Sequence, residues 1–89
     1  EIHSLCEKLD IPYKEVKKMV TADKRIFDSH LDVTEHKGFG EKCFPKDMIA
    51  IMGLYKDSGV DHSLLKIVWE KNLKIRQHRD WEEIPFVKE

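Results

Sequence analysis

The densest chemistry in the sequence lies in residues 38–47, which read GFGEKCFPKD. Cys43 stands just before a helix predicted to begin at Pro45, a residue that suits a first helical turn because its missing N–H is not needed there. The free N–H groups and positive end of a helix stabilise a thiolate, as do the neighbouring Lys42 and Lys46. Because the thiolate is the nucleophilic form of cysteine, the pattern predicts a candidate nucleophile at Cys43.

Other residues of this segment fit the same chemistry. Asp47 lies four residues beyond Cys43, on the same helical face, where its carboxylate can assist a water molecule or a bound intermediate. Lys46 can meet an anion. Gly38 and Gly40 precede the cysteine, and glycines clustered before a helix indicate backbone that approaches a ligand closely. The alternative interpretation of Cys43 is packing, because unpaired cysteine is usually a small buried hydrophobic residue.

The elements that must position these residues are helices. The apolar pattern predicts an all-α fold of about four helices, with a long loop before the third. Apolar side chains recur at helical spacing in residues 2–9, and Pro12 ends this first helix. The second helix is predicted to direct Val16, Met19 and Val20 inward. Its lysines then form a solvated face: Lys14, Lys17 and Lys18.

The third helix follows the candidate nucleophile, and a fourth comes after it. Gly59 is placed to end the third helix, and Asp61 or Ser63 to cap the fourth, which continues to Ile75. The loop of residues 22–44 has no sustained period, and at about 20 residues it is much longer than a usual connection. Since such loops in compact domains are usually functional or disordered, we expect the function to lie here.

Length and charge limit the classes of function. A chain of 89 residues forms one small domain, and its net charge of −1 gives no reason to expect nucleic acid or an acidic membrane as partner. No apolar run approaches the ~20 residues of a membrane span. The chain begins inside a helical pattern without Met, so we expect a segment of a longer protein. Two distant cysteines favour a reducing, cytoplasmic location.

The remaining conspicuous residues are predicted to have structural roles. The five histidines are His3, His30, His36, His62 and His78. None has the spacing of a zinc site, so no metal is predicted. Cys6 lies on the apolar stripe of the first helix and is assigned to the core. Trp69 and Trp81 are predicted to pack, and residues 81–85 to form an exit segment.

The segment around Cys43 resembles the active-site signature of the UDP-glucose/GDP-mannose dehydrogenase family, in the form GFGxxCFPKD. The motifs DKRI at residues 23–26, SHL at 29–31 and VWEKN at 68–72 are similar to the UDP-glucose 6-dehydrogenase branch. The similarity extends from about Glu1 to about Arg79. Two positions depart from it, because Phe27 and Glu41 stand where the family commonly has glycine.

The resemblance implies a domain organisation and a reaction. Residues 1–89 would be the central domain, for dimerisation and the active-site cysteine, between Rossmann-type domains outside this chain. The enzyme would oxidise UDP-glucose, or a related UDP- or GDP-sugar, to the uronate for polysaccharide biosynthesis. Cys43 would capture the intermediate aldehyde as a thiohemiacetal that becomes a thioester, and Asp47 would assist its hydrolysis.

The resemblance also assigns binding residues and partners. Phe39 and Gly40 would lie against the substrate, and Arg25 would reach the nucleotide sugar of a neighbouring subunit in a homodimer. His30 falls in the substrate loop, and Lys46 would lie near NAD. The cofactor would be bound mainly by a domain outside the chain, so the isolated fragment is expected to be inactive.

Two binding classes stay open beside the enzyme. Residues 5–20 have the spacing of a helix-turn-helix, with residues 10–12 as the turn, although Glu15 and the slightly acidic total disfavour a DNA reader. The other alternative is a helical dimerisation module without catalysis. It is compatible with the enzyme hypothesis, because the family pairs its subunits through this domain.

Overall fold

A computed structural model of the chain describes residues 1–83. They form four α-helices, followed by a 3-10 helix: α1 (Ile2–Lys8), α2 (Tyr13–Thr21), α3 (Cys43–Ser58), α4 (Ser63–Ile75) and Asp80–Glu83. No strand occurs in this range, so the predicted all-α class is confirmed. A long loop before the third helix is confirmed too, and it ends at residue 42, two residues earlier than predicted. The 3-10 helix was not predicted. The end of the predicted exit segment, Ile84 and Pro85, lies outside the described residues.

The chain divides into two compact units, Glu1–Val33 and Thr34–Glu89. In the first unit α1 buries Cys6, as predicted. The helix ends at Lys8, and Asp10, two residues beyond that end, has a φ of 56°, in the left-handed region. This allows the Ile11 N–H to donate back to the Cys6 carbonyl at 2.8 Å. Pro12 follows in an extended conformation and α2 begins at the next residue.

The loop after α2 folds back onto that helix. The Tyr13 hydroxyl donates to the Leu31 carbonyl. The Lys17 ammonium lies 2.7 Å from an Asp32 carboxylate oxygen and 3.2 Å from one of Asp28. Hydrogen bonds to Asp32 and Asp28 raise the pKa of Lys17 above its ordinary value. The prediction that Lys17 belongs to a solvated face is therefore wrong, because these acidic loop residues bind it.

The prediction of which α2 residues face inward is also largely wrong. Met19 is 70% exposed and Val20 is exposed too, whereas Val16 is half-buried. The helix is amphipathic as expected, but the loop packs on the side of Tyr13 and Lys17. Within Glu1–Val33 no element covers the apolar side chains of Met19 and Val20.

In the second unit α3 begins at Cys43, two residues before the predicted start. Pro45 is its third residue and is fully buried. This position still costs no hydrogen bond, because the first four N–H groups of a helix have no intrahelical partner. Gly59 ends α3 as predicted, with φ of 69° and the Val60 N–H donating to the Tyr55 carbonyl at 3.1 Å.

The helix α4 packs against α3. It begins after His62, and no side chain caps it; Ser63 donates instead to the Asp61 carboxylate at 2.9 Å. The predicted capping is therefore wrong. At the other end the Arg79 guanidinium donates to the Leu73 carbonyl at 3.1 Å, a favourable place for a cation. No helix within residues 1–83 has the length and apolarity needed to cross a membrane.

A row of aromatic rings joins the loop to both helices. Phe39 lies 6.2 Å from Phe44 and 5.9 Å from Trp69, between ring centroids. Trp69 in turn lies 5.5 Å from Trp81, which is only 3% exposed. The two tryptophans therefore pack as predicted, and the ring of Trp69 lies between those of Trp81 and the loop residue Phe39.

Candidate active site

Cys43 is the first residue of α3 and its side chain is exposed. The interpretation of this cysteine as a small buried hydrophobic residue is therefore wrong. The preceding residue, Lys42, makes no side-chain capping bond.

Asp47 lies one turn after Cys43 on α3. Its carboxylate is 3.3 Å from the Lys46 ammonium, and both side chains are substantially exposed. Among the residues that the structure describes, Asp47 is also the single ionisable one in the lining of a cavity of about 310 Å³. The lining residues come from the loop and from both helices of this unit: Phe39, Phe44, Asp47, Met48, Ile51 and Leu65. The structure thus brings together the predicted site residues Phe39 and Asp47.

The loop before Cys43 is held by α4, through residues for which no role was predicted from the sequence. The Phe39 N–H donates to Asn72 Oδ1 at 2.7 Å, and Asn72 Nδ2 donates to the Phe39 carbonyl at 2.9 Å. Asn72 is 2% exposed, the most buried polar residue of the described range. The available signal was a polar residue at helical spacing in the inward stripe of Leu65 and Trp69.

A second contact holds the same loop. The Arg76 guanidinium donates to the Lys37 carbonyl at 3.2 Å and pairs with Asp80 at 3.2 Å. The other Asp80 oxygen accepts the Glu41 N–H at 2.8 Å. Burial opposes ionisation of Asp80, but the Glu41 N–H and the charge of Arg76 outweigh it, so the pKa of Asp80 lies below its ordinary value.

Close packing against α4 explains why glycine stands at both positions 38 and 40 of the loop. A Cβ on Gly38 would overlap the Asn72 carboxamide, and one on Gly40 would overlap the Arg76 guanidinium. The backbone therefore approaches protein side chains closely here. That Gly40 and Phe39 also contact a substrate stays a prediction.

The substituted residue Glu41 has φ of 65°. Left-handed backbone favours glycine, so the glycine common in the family at this place has a conformational explanation. Glu41 adopts the same backbone region, and its N–H still reaches Asp80. Glutamate in place of glycine at position 41 is therefore compatible with this loop conformation.

Arg25 and His30 belong to the first compact unit, whereas the other predicted site residues belong to the second. The Arg25 side chain is 88% exposed and binds Asp23, with Nη2 2.7 Å from its carboxylate. The hydrogen bond from Arg25 lowers the pKa of Asp23 and raises that of Arg25. His30 has φ of 61°, and its Nδ1 lies 2.8 Å from the Ser29 hydroxyl. Their substrate contacts stay predictions.

Comparisons with known proteins agree with the signature around Cys43. Residues 1–74 match the model of the UDP-glucose/GDP-mannose dehydrogenase family, central domain. The chain is 36% identical over 72 residues to the UDP-glucose 6-dehydrogenase of Rickettsia bellii (strain RML369-C), covering 81% of this chain and 16% of that protein. It is 35% identical over 78 residues to UDP-glucose 6-dehydrogenase TuaD of Bacillus subtilis (strain 168), covering 88% and 16%.

The chain thus spans about a sixth of the length of the curated relatives it matches. No solved structure matches it significantly. The family match covers α1 to α4 almost completely and includes the loop, Cys43 and Asp47. The chain belongs to the UDP-glucose/GDP-mannose dehydrogenase family, to its central domain.

Proposed function

We propose that this chain is the central domain of a nucleotide-sugar 6-dehydrogenase in which Cys43 is the catalytic nucleophile. The observation that carries the proposal is the exposed thiol at the first residue of α3, with Asp47 one turn further, in a chain of this family. The relatives are UDP-glucose 6-dehydrogenases, so UDP-glucose is the proposed substrate and a related UDP- or GDP-sugar the alternative.

The cofactor contact proposed for this chain is Lys46. Its ammonium is about half-exposed on the first turn of α3, which fits an anionic group of NAD. NAD, when bound, supplies the hydride acceptor for both oxidations. Most of its binding surface is proposed to lie in a domain outside this chain.

The chemistry assigned to this chain is covalent capture followed by hydrolysis. The Cys43 thiolate adds to the C6 carbonyl carbon of the aldehyde, so a C–S bond forms and the oxygen takes a proton. After the second oxidation the same C–S bond belongs to a thioester. Asp47 accepts a proton from the water that attacks the acyl carbon. The C–S bond then breaks, and the thiolate and the uronate are released.

A role in dimerisation is proposed beside catalysis. Large apolar side chains of α3 and α4 are well exposed, among them Leu54 at 64%, Leu64 at 75% and Ile67 at 62%. Such a surface supports a helical interface. Arg25, exposed in the first unit, is then proposed to contact the substrate of a neighbouring subunit. A helix-turn-helix function has less support, since Lys17 of α2 is engaged by two carboxylates.

The test is NAD reduction by the full-length protein on a panel of UDP- and GDP-sugars, with a Cys43→Ser variant beside it. We expect NADH with UDP-glucose and a loss of steady turnover of at least about a thousandfold in the variant, because the nucleophile is removed.

The matched control is Cys6→Ser, since Cys6 is the other cysteine and is buried in α1. That variant is expected to keep its turnover. If no sugar is oxidised, the enzyme proposal fails. If Cys43→Ser oxidises UDP-glucose at the rate of the unmodified protein, the nucleophile has been misassigned.

A further inference from the structure

The buried carboxamide of Asn72 has no part in the chemistry proposed above. A buried amide without hydrogen bonds is costly, so its partners define what the residue does. Both of its polar groups bond to one residue, Phe39, in the loop that leads to Cys43. This pairing also fixes the orientation of the amide, because only one assignment of its oxygen and nitrogen satisfies both bonds.

The contacts between the loop and α4 follow a regular pattern along the backbone. Lys37 is bound through its carbonyl by Arg76, Phe39 through both groups by Asn72, and Glu41 through its N–H by Asp80. Alternate loop residues are therefore fixed, as along one edge of a strand, but by side chains instead of a neighbouring strand. The last of them is two residues before Cys43.

The residues between these anchors cannot move towards α4. Gly38 and Gly40 already lie so close to Asn72 and Arg76 that even a methyl group would not fit. Arg76 is itself well buried, with 6% of its side chain exposed. The backbone from Lys37 to Glu41 thus has one packed position against α4, and that position determines where the chain starts α3.

We infer that Asn72 is a positioning residue for Cys43, which it controls through the Phe39 peptide, with Arg76 and Asp80 as supports. The inference rests on the proposed function of Cys43. A displacement of the nucleophile by about 1 Å can cost about a hundredfold in rate while the substrate is still bound. Since Phe39 is also a predicted substrate contact, loss of the Asn72 bonds is expected to raise KM as well, but by a smaller factor than it lowers kcat.

The experiment measures kcat and KM of the full-length enzyme for the sugar that it oxidises, well below the unfolding temperature. Asn72→Ala is expected to lower kcat at least about tenfold and to change KM less than about threefold. The control Lys74→Ala alters an exposed residue of the same helix and is expected to keep both constants. A variant with a lower unfolding temperature but unchanged kcat would show that Asn72 only stabilises the fold.

Asn72→Asp gives a second, independent readout. The aspartate keeps an acceptor for the Phe39 N–H but, when ionised, has no donor for the Phe39 carbonyl. Protonation restores that donor, and burial favours protonation. The ratio of variant to unmodified kcat is therefore expected to rise as the pH is lowered from about 8 to about 5. A ratio that does not change with pH would overturn the inference. This test does not depend on Asn72→Ala and decides the question even if that variant does not fold.

Cys43→Ser, assayed in the same series, separates the two proposals. If Cys43→Ser turns over normally, the proposed function fails. If Cys43→Ser is inactive and the Asn72 variants keep the kcat of the unmodified enzyme, the positioning role alone fails.

Discussion

Glu41 occupies a backbone conformation that costs an L-residue about 1 kcal/mol or more. Its φ is 65°, and its N–H is nevertheless bound by Asp80. Because glycine adopts this region without a steric penalty, Glu41→Gly is expected to raise the free energy of unfolding by about 1 kcal/mol. The measurement is the shift in unfolding temperature of the full-length protein.

The control for that variant is Glu35→Gly, the same substitution in the same loop at a residue whose φ is not positive. Glycine at that position increases the conformational entropy of the unfolded chain and removes no backbone strain from the folded one. No gain in stability is therefore expected for Glu35→Gly. If both variants lower the unfolding temperature equally, Glu41 is not strained in the way described.

At the residue scale, local rules predicted Cys43 and Asp47, since a helix start and one helical turn are short-range features. Asn72 was missed because its partner lies 33 positions earlier in the chain. The engagement of Lys17 was missed for a similar reason, as Asp28 and Asp32 reach it only after the loop has folded back. Sequence spacing carries no information on such pairs.

At the scale of elements, α3 offers a matched pair of glycines, one inside the helix and one directly after its last residue. Among residues 1–83, a Cβ would meet nothing within 4 Å at either Gly53 or Gly59, but Gly53 lies inside the helix whereas Gly59 ends it with φ of 69°. Gly53→Ala is expected to raise the free energy of unfolding by about 1 kcal/mol, and Gly59→Ala to lower it by about the same amount.

Unfolding midpoints of the two variants, measured under one set of conditions, check this prediction, and each variant is the control of the other. A loss of stability in Gly53→Ala would contradict the open surroundings of this glycine and indicate that another part of the full-length protein packs there. A neutral Gly59→Ala would contradict the left-handed end of α3.

The helices themselves were predictable because apolar periodicity and the breakers Pro12 and Gly59 are local signals. The start of α3 was placed at Pro45 on the preference of proline for a first position, whereas the N–H of a third residue is equally dispensable. The outward face of α2 was not predictable, since periodicity shows that a helix is amphipathic but not which neighbour covers it.

For the whole molecule, the pKa shifts predict a plateau of stability around neutral pH. Asp23 and Asp80 have pKa values below the ordinary 3.8 when folded, so their contribution is present above that value and is lost as pH falls through the folded pKa. The pKa of Lys17 is raised above 10.5, so its contribution is complete below that value and is lost as pH rises through the folded pKa.

The unfolding temperature of the full-length protein, followed across pH, checks this expectation. Asp80→Asn keeps an acceptor for the Glu41 N–H but removes the charge beside Arg76. It is expected to lower the plateau and to weaken the acid limb, while the alkaline limb is unchanged. An acid limb as steep as that of the unmodified protein would show that Asp80 contributes nothing to it.

The contacts that fix the loop also set an order of events during folding. They join residues 33 to 39 positions apart, and Asn72, Arg76 and Asp80 all follow Cys43 in the chain. Contacts between distant residues form late, after loop closure has been favoured by other interactions. During synthesis the thiol emerges well before its supports. The loop therefore reaches its final conformation only when the helical hairpin is complete, and residues made after the thiol fix the loop that leads to it.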